Sequence, residues 1–140
     1  LIWGAIVGAL FLWLMAYWQL DLVPTLVWVK QDWALFIVLC LASPLLEEYV
    51  FRGWIYEAAR QHWQSAWPTQ ASISISTANL VTTVFFVVAH TLLREPLVGV
   101  MVLIPSLYLG LLRDRYNKVS ICIGTHAFWN IGWFSFFSPL

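Results

Sequence analysis

Long apolar runs separated by short polar breaks make up this chain. Residues 1–20 carry no charge, and a polar stretch with Pro24 and Lys30 follows over 21–32. A second apolar run starts near Trp33, passes Leu46 and then meets Glu47, Glu48 and Arg52, its helical pattern continuing to about His62. Residues 61–70 form a polar connection with Pro68. The third run, 71–93, has His90 as its one ionisable side chain, and Arg94-Glu95-Pro96 reads as a turn. The fourth run, 97–112, contains Pro105, expected to kink it. A charged loop over 113–118 leads to the fifth, from Val119 to about Phe137. Crossing the hydrocarbon takes about 20 mostly apolar helical residues, so the pattern predicts five spans. Barrel strands are shorter and alternate strictly, which these runs do not. The expected fold is all-α: a multi-pass transmembrane bundle of about five helices in a single domain over 1–140. Residues 1–20 would form a leading helix and 33–137 a core of four helices. The first run has no charged n-region and reads as a span, not a signal peptide.

Composition sharpens this picture. The chain is 61% hydrophobic and 10% charged, against roughly 25% charged in soluble domains. Seven basic residues balance seven acidic ones, so no basic surface exists to neutralise phosphates, and nucleic acid is excluded as a partner. Ten Trp residues suit the two membrane interfaces, where the ring is apolar and its N–H stays wet. Cys40 and Cys122 lie inside apolar runs and offer neither zinc spacing nor a disulfide framework. Among the loops, Arg60, Arg113, Arg115 and Lys118 outnumber Lys30 and Arg94, which puts the start of this chain and the 113–118 loop on the cytoplasmic side.

An ionisable side chain inside a bilayer costs several kcal/mol unless paired or hydrated, and is a functional candidate by default. Glu48 and Arg52 are four apart, acid first, the favoured order for an ion pair on one helix face. Glu47 lies about 100° round the helix from Glu48 and is not used up by Arg52. A carboxylate left over in a low-dielectric site can act as a general base. His126 and Asn130 also share a face at i, i+4, and two N–H donors aimed at one point can hold an oxyanion. Phe86 and His90 repeat that spacing, an aromatic under a histidine. At about 1.5 Å rise per residue, Glu47, His90 and the His126–Asn130 pair can reach one depth if the second and third helices overshoot the bilayer. Blander roles are expected elsewhere. His62 reads as interfacial, Glu57 as solvated, and Tyr49, Tyr56, Trp129 and Trp133 as packing or belt residues.

These residues resemble a known family. Glu47-Glu48-Tyr49-Val50-Phe51-Arg52-Gly53 looks like the EExxxR motif, Phe86-Val87-Val88-Ala89-His90 matches FxxxH, and His126-Ala127-Phe128-Trp129-Asn130 matches HxxxN. Together, in this order and each on its own apolar run, they resemble the CAAX protease and bacteriocin-processing (Abi) family, which includes the type II CAAX prenyl endopeptidases. The likeness covers 33–137. It implies a glutamic intramembrane endopeptidase with an active site inside the membrane. Glu47 would activate water, His90 would help position it, His126 and Asn130 would form the oxyanion hole, and Glu48 and Arg52 would support the site. It also implies no catalytic metal and no cofactor. The expected partners are the lipid bilayer and a membrane-anchored protein or peptide, cut near a C-terminal or membrane-proximal tail: a sorting tag, a leader or a CAAX-like end. The chain is shorter than well-known eukaryotic and archaeal members and is more similar to small bacterial processing enzymes, which implies a bacterial plasma (inner) membrane. Two alternatives stand beside this. One is a non-catalytic membrane scaffold of the same fold. The other is a proton or metal carrier, disfavoured by the lack of broken-helix repeats. A zinc enzyme fits the ligand types present, but the chain has no HExxH and no Cys pair.

Overall fold

The computed structural model describes residues 27–63, 75–94 and 96–136, together with positions 4 and 6. Of the expected leading helix, only those two isolated positions are described; the rest lies outside the described residues. The described chain is helical, with no strand among the described residues. Helix α1 is Val27–Gln31. Asp32 then caps α2, Trp33–His62, its carboxylate accepting from the Leu35 N–H at 2.9 Å and so satisfying one of the orphan donors of the first turn. α3 is Thr77–Leu93, α4 Pro96–Met101, α5 Leu103–Tyr116 and α6 Val119–Phe136. Within α2 the backbone widens twice into π-helix, over Val38–Ala42 and Tyr49–Ile55.

Among the described residues, two stretches are long and apolar enough to cross a membrane, Trp33–His62 with 30 residues and Pro96–Tyr116 with 21. The first is about 45 Å long at the α-helical rise, well beyond an apolar thickness of about 30 Å. α3 is apolar but shorter. The side-chain distribution inverts that of a soluble protein. Trp54, Val84, Leu92, Leu93 and Ile104 are exposed, whereas Glu48, Arg52, Asn79, Thr83, Ser106 and Asp114 are buried. Water would penalise that exposed apolar surface; a bilayer favours it and drives the polar groups inward to one another. This is an all-α membrane protein.

Three boundaries differ from the sequence pattern, each for a local reason. The third helix begins at Thr77, not near residue 71, because Ser76 is its cap: the Ser76 hydroxyl accepts from the Asn79 N–H at 3.0 Å. In the fourth run the break falls at Val102, just ahead of Pro105. Pro105 sits in the first turn of α5, where a missing N–H costs nothing, while its ring excludes the carbonyl four residues back. The expected charged loop over 113–118 is largely helix. α5 runs on to Tyr116 with Arg113 and Asp114 buried, and only Asn117 and Lys118 connect it to α6. Asn117 adopts the left-handed conformation (φ 51°, ψ 34°) and returns its N–H to the Arg113 carbonyl at 2.9 Å, a helix ending that Asn tolerates better than most residues.

The chain divides into two units, Glu47–Ile123 and Leu1–Leu46 with Gly124–Leu140. In the first, α3 packs on α4, α5 and the Tyr49–Ile55 and Tyr56–His62 parts of α2. Its buried positions Ala78, Asn79, Thr82, Thr83 and Phe86 recur at three and four residues, one helix face. Two glycines allow the close approach. A Cβ on Gly99 would lie 2.0 Å from Thr91 Oγ1, and one on Gly110 would lie 1.8 Å from Asn79 Oδ1. In the second unit, Trp28 anchors α1: its indole N–H donates to the Phe134 carbonyl at 3.0 Å, and its ring meets Phe36 and Phe134 edge-on.

Candidate active site

The site is built around the middle of α2. Glu48 and Arg52 are both fully buried and their side chains meet, Nη1 to Oε1, at 3.1 Å. Arg52 Nη2 donates to the Ser106 carbonyl at 3.0 Å and to the Ser106 hydroxyl at 2.7 Å. Its Nε–H has no hydrogen-bond partner among the described residues, and the guanidinium carbon lies 4.5 Å from the centre of the Phe86 ring. A cation over an aromatic face gains electrostatic attraction from the ring quadrupole, which offsets part of that loss.

Phe86 carries the arrangement on to the histidine. Phe51 meets it edge-on at 4.9 Å between centroids, and His90 stacks on it at 4.2 Å with 29° between the planes. His90 Nδ1 is 2.9 Å from the Phe86 carbonyl. A carbonyl can only accept, so Nδ1 carries a proton in this contact. The other ring nitrogen, Nε2, lies 3.8 Å from Glu47 Oε2. That is too long for a direct hydrogen bond and suited to one bridged by water. Glu47 and His90 keep 26% and 18% of their side-chain surface, against none for Glu48 and Arg52. The two adjacent carboxylates therefore differ in kind, one sealed in an ion pair and the other accessible beside an imidazole.

Below this layer lies a second polar cluster that the sequence pattern did not single out. The Tyr56 hydroxyl bonds to the Asp114 carboxylate. Asp114 also accepts from the Ser76 hydroxyl at 2.7 Å and the Ser76 N–H at 3.3 Å, so it closes the N-terminus of α3, where negative charge is favoured. Arg113 Nε donates to the Arg52 carbonyl at 3.1 Å, and its guanidinium lies 5.0 Å from the Tyr56 ring centre. Arg113 also bonds the Asn117 side chain and lies 3.7 Å from Glu57. Glu57, expected to be merely solvated, pairs with Arg60 and accepts from Gln61 at 3.1 Å. The available signals were faint: Tyr56 one turn beyond Arg52, and Asn79 and Thr83 at i, i+4 on an apolar run.

His126 and Asn130 belong to the other unit. Both are half-buried on α6, one turn apart as expected. Asn130 Nδ2 donates to the Leu39 carbonyl at 2.9 Å. Leu39 lies in the first π segment of α2. One of the two amide hydrogens thus fastens a backbone carbonyl, a packing use that the spacing alone did not reveal. No cluster of three or more His, Cys, Asp or Glu suited to a metal ion occurs among the described residues.

A family model described as type II CAAX prenyl endopeptidase Rce1-like matches residues 28–132. The chain belongs to this family. The matched region contains all three motif segments, 47–52, 86–90 and 126–130. The family is one of membrane-embedded CAAX-type proteases acting on membrane-associated peptides. No curated protein and no solved structure matches the chain.

Proposed function

We propose that this Rce1-like protein is a glutamic intramembrane endopeptidase in which Glu47 activates the attacking water. The observation that carries the reading is the Glu47–His90 contact. In the neutral imidazole with Nδ1–H donating to the Phe86 carbonyl, His90 Nε2 is an acceptor, and so is the Glu47 carboxylate. Two acceptors 3.8 Å apart are matched by one water giving a hydrogen to each. Glu47 takes a proton from that water as its oxygen adds to the scissile carbonyl carbon. The intermediate collapses, the C–N bond breaks, and the proton passes from Glu47 to the leaving nitrogen. His126 and the second N–H of Asn130 are the oxyanion donors in this reading, supported by their register on α6 and by the HxxxN pattern. Glu48 and Arg52 hold the motif helix. No step calls for a metal or a cofactor.

The substrate is a membrane-associated protein or peptide cut near its tail: a sorting tag, a leader or a CAAX-like end. The working location is a bacterial plasma membrane, crossed several times by a single domain. The test uses protein purified in detergent and three internally quenched probes: a farnesylated CAAX-like peptide, the same peptide unprenylated, and a lipid-anchored leader peptide. Cleavage by wild type and its loss in Glu47→Gln are expected; cleavage by Glu47→Gln at the wild-type rate overturns the assignment. One observation favours the scaffold alternative, the commitment of an Asn130 hydrogen to Leu39. That reading is supported instead if no probe is cut while Asn130→Ala lowers the melting temperature.

A further inference from the structure

The hydrogen bonds leading away from Arg52 run in one direction. Arg52 Nη2 donates to Ser106 Oγ at 2.7 Å, Ser106 Oγ to Thr83 Oγ1 at 3.2 Å, and Thr83 Oγ1 to Asn79 Oδ1 at 3.2 Å. Asn79 Nδ2 then donates to the Leu107 carbonyl at 3.1 Å, which ends the chain. Each hydroxyl turns its oxygen toward the cation and its hydrogen away from it. Ser106, Thr83 and Asn79 are all buried, so little solvent screening weakens the bonds, and a chain with aligned dipoles strengthens each member. Gly110 is part of the device, because a Cβ there would collide with the Asn79 amide. None of these residues belongs to the three motifs.

We infer that the Ser106–Thr83–Asn79 chain is a positioning device for the Arg52 guanidinium, and through it for the reacting pair; the second half of this inference rests on the reading of Glu47 as the base. The need for such a device follows from the sequence. Arg52 follows two adjacent carboxylates on one helix. A guanidinium free to move could neutralise Glu47 as well as Glu48, and a neutralised carboxylate is a poor base. Pinned by both oxygens of Ser106 and lying against Phe86, Arg52 stays with Glu48. Phe86 also stacks on His90, so the position of the cation is transmitted to the imidazole that faces Glu47.

The experiment compares wild type with Thr83→Val, which keeps shape but removes the hydroxyl, Thr83→Ser, which keeps the hydroxyl, and Ser106→Ala. Two readouts are taken in detergent. One is the nitrogen NMR signature of the Arg52 guanidinium, assigned by its loss in Arg52→Lys. The other is kcat and KM on the quenched farnesylated peptide. Wild type and Thr83→Ser are expected to show resolved, exchange-protected Arg52 Nη–H resonances. In Thr83→Val and Ser106→Ala these should average, and kcat should fall about tenfold, the effect of losing roughly one hydrogen bond to a charged group, with KM unchanged within about a factor of two. Unaltered Arg52 resonances in both Thr83→Val and Ser106→Ala overturn the chain. Averaged resonances with wild-type kcat overturn its role in positioning the reacting pair. Wild-type cleavage by Glu47→Gln overturns the base assignment, and the Arg52 resonances alone then decide whether the chain holds the guanidinium.

Discussion

Glu47 and Glu48 are neighbours in sequence and opposites in environment. Around Glu48 the protein is closed: the carboxylate and Arg52 have no exposed surface, and Ser106 and Phe86 complete the guanidinium's surroundings. Around Glu47 it is partly open, with 26% of the side-chain surface exposed, and the contact to His90 is long. The difference comes from about 100° of helix rotation. In the proposed reading, this fold separates holding from reacting. A buried pair is costly to break because the remaining charge has no solvent; a half-open carboxylate keeps contact with its surroundings and carries no such penalty.

The sharpest way to break the comparison is to neutralise each carboxylate in turn. Glu47→Gln should lower peptide cleavage by about 10²–10⁴, the usual worth of a general base, and leave the melting temperature nearly unchanged; the quenched-peptide assay beside a melting curve reads both. Next in size is Arg52→Ala, which removes the cation bonded to the buried Glu48 carboxylate and should cost about 3–5 kcal/mol, seen as a lower unfolding midpoint and lower yield of folded protein. An Arg52→Ala protein as stable as wild type would show that the pair does not hold the helix.

Asn130→Ala tests whether a motif residue can do both jobs. Loss of an oxyanion donor should cut turnover by about 10²–10³, and the Leu39 carbonyl left without its donor should cost about 1–3 kcal/mol. Single-turnover cleavage and thermal unfolding separate the two effects, and a loss of activity only in proportion to lost folded protein removes the catalytic half. The smallest effect is expected from Gly110→Ala, which displaces Asn79 and should destabilise by about 1–3 kcal/mol. If its melting curve matches wild type, the close packing of α5 on Asn79 is not needed.

Much of this arrangement is legible in the order and spacing of the amino acids. The start of α2 near Trp33 follows from where the apolar run begins, and the Glu48–Arg52 pair, the separate direction of Glu47 and the Phe86–His90 stack all join residues within about one helical turn, where spacing alone dictates which side chains share a face. The three motifs, read in order on three apolar runs, point to the family that the match over 28–132 shows. Composition places the chain in a membrane because so few charges cannot cover a soluble surface.

Other features were decided only by packing. Ser106 meets Arg52 across 54 residues of chain, Asp114 meets Tyr56 across 58, and Arg113 reaches the Arg52 carbonyl across 61. In the sequence, Arg113 and Asp114 read as part of a loop because charges ordinarily seek water. In the tertiary structure they stay helical and buried because other helices supply their partners. Asn130 likewise shows a helical register in the sequence, while its bond to the Leu39 carbonyl depends on a neighbouring π segment that no periodicity announces. Amino-acid spacing determined what each helix could offer on each face. Which offer was taken up was decided by the partner that the packed helices brought within about 3 Å, because a buried polar group is stable only where such a partner exists.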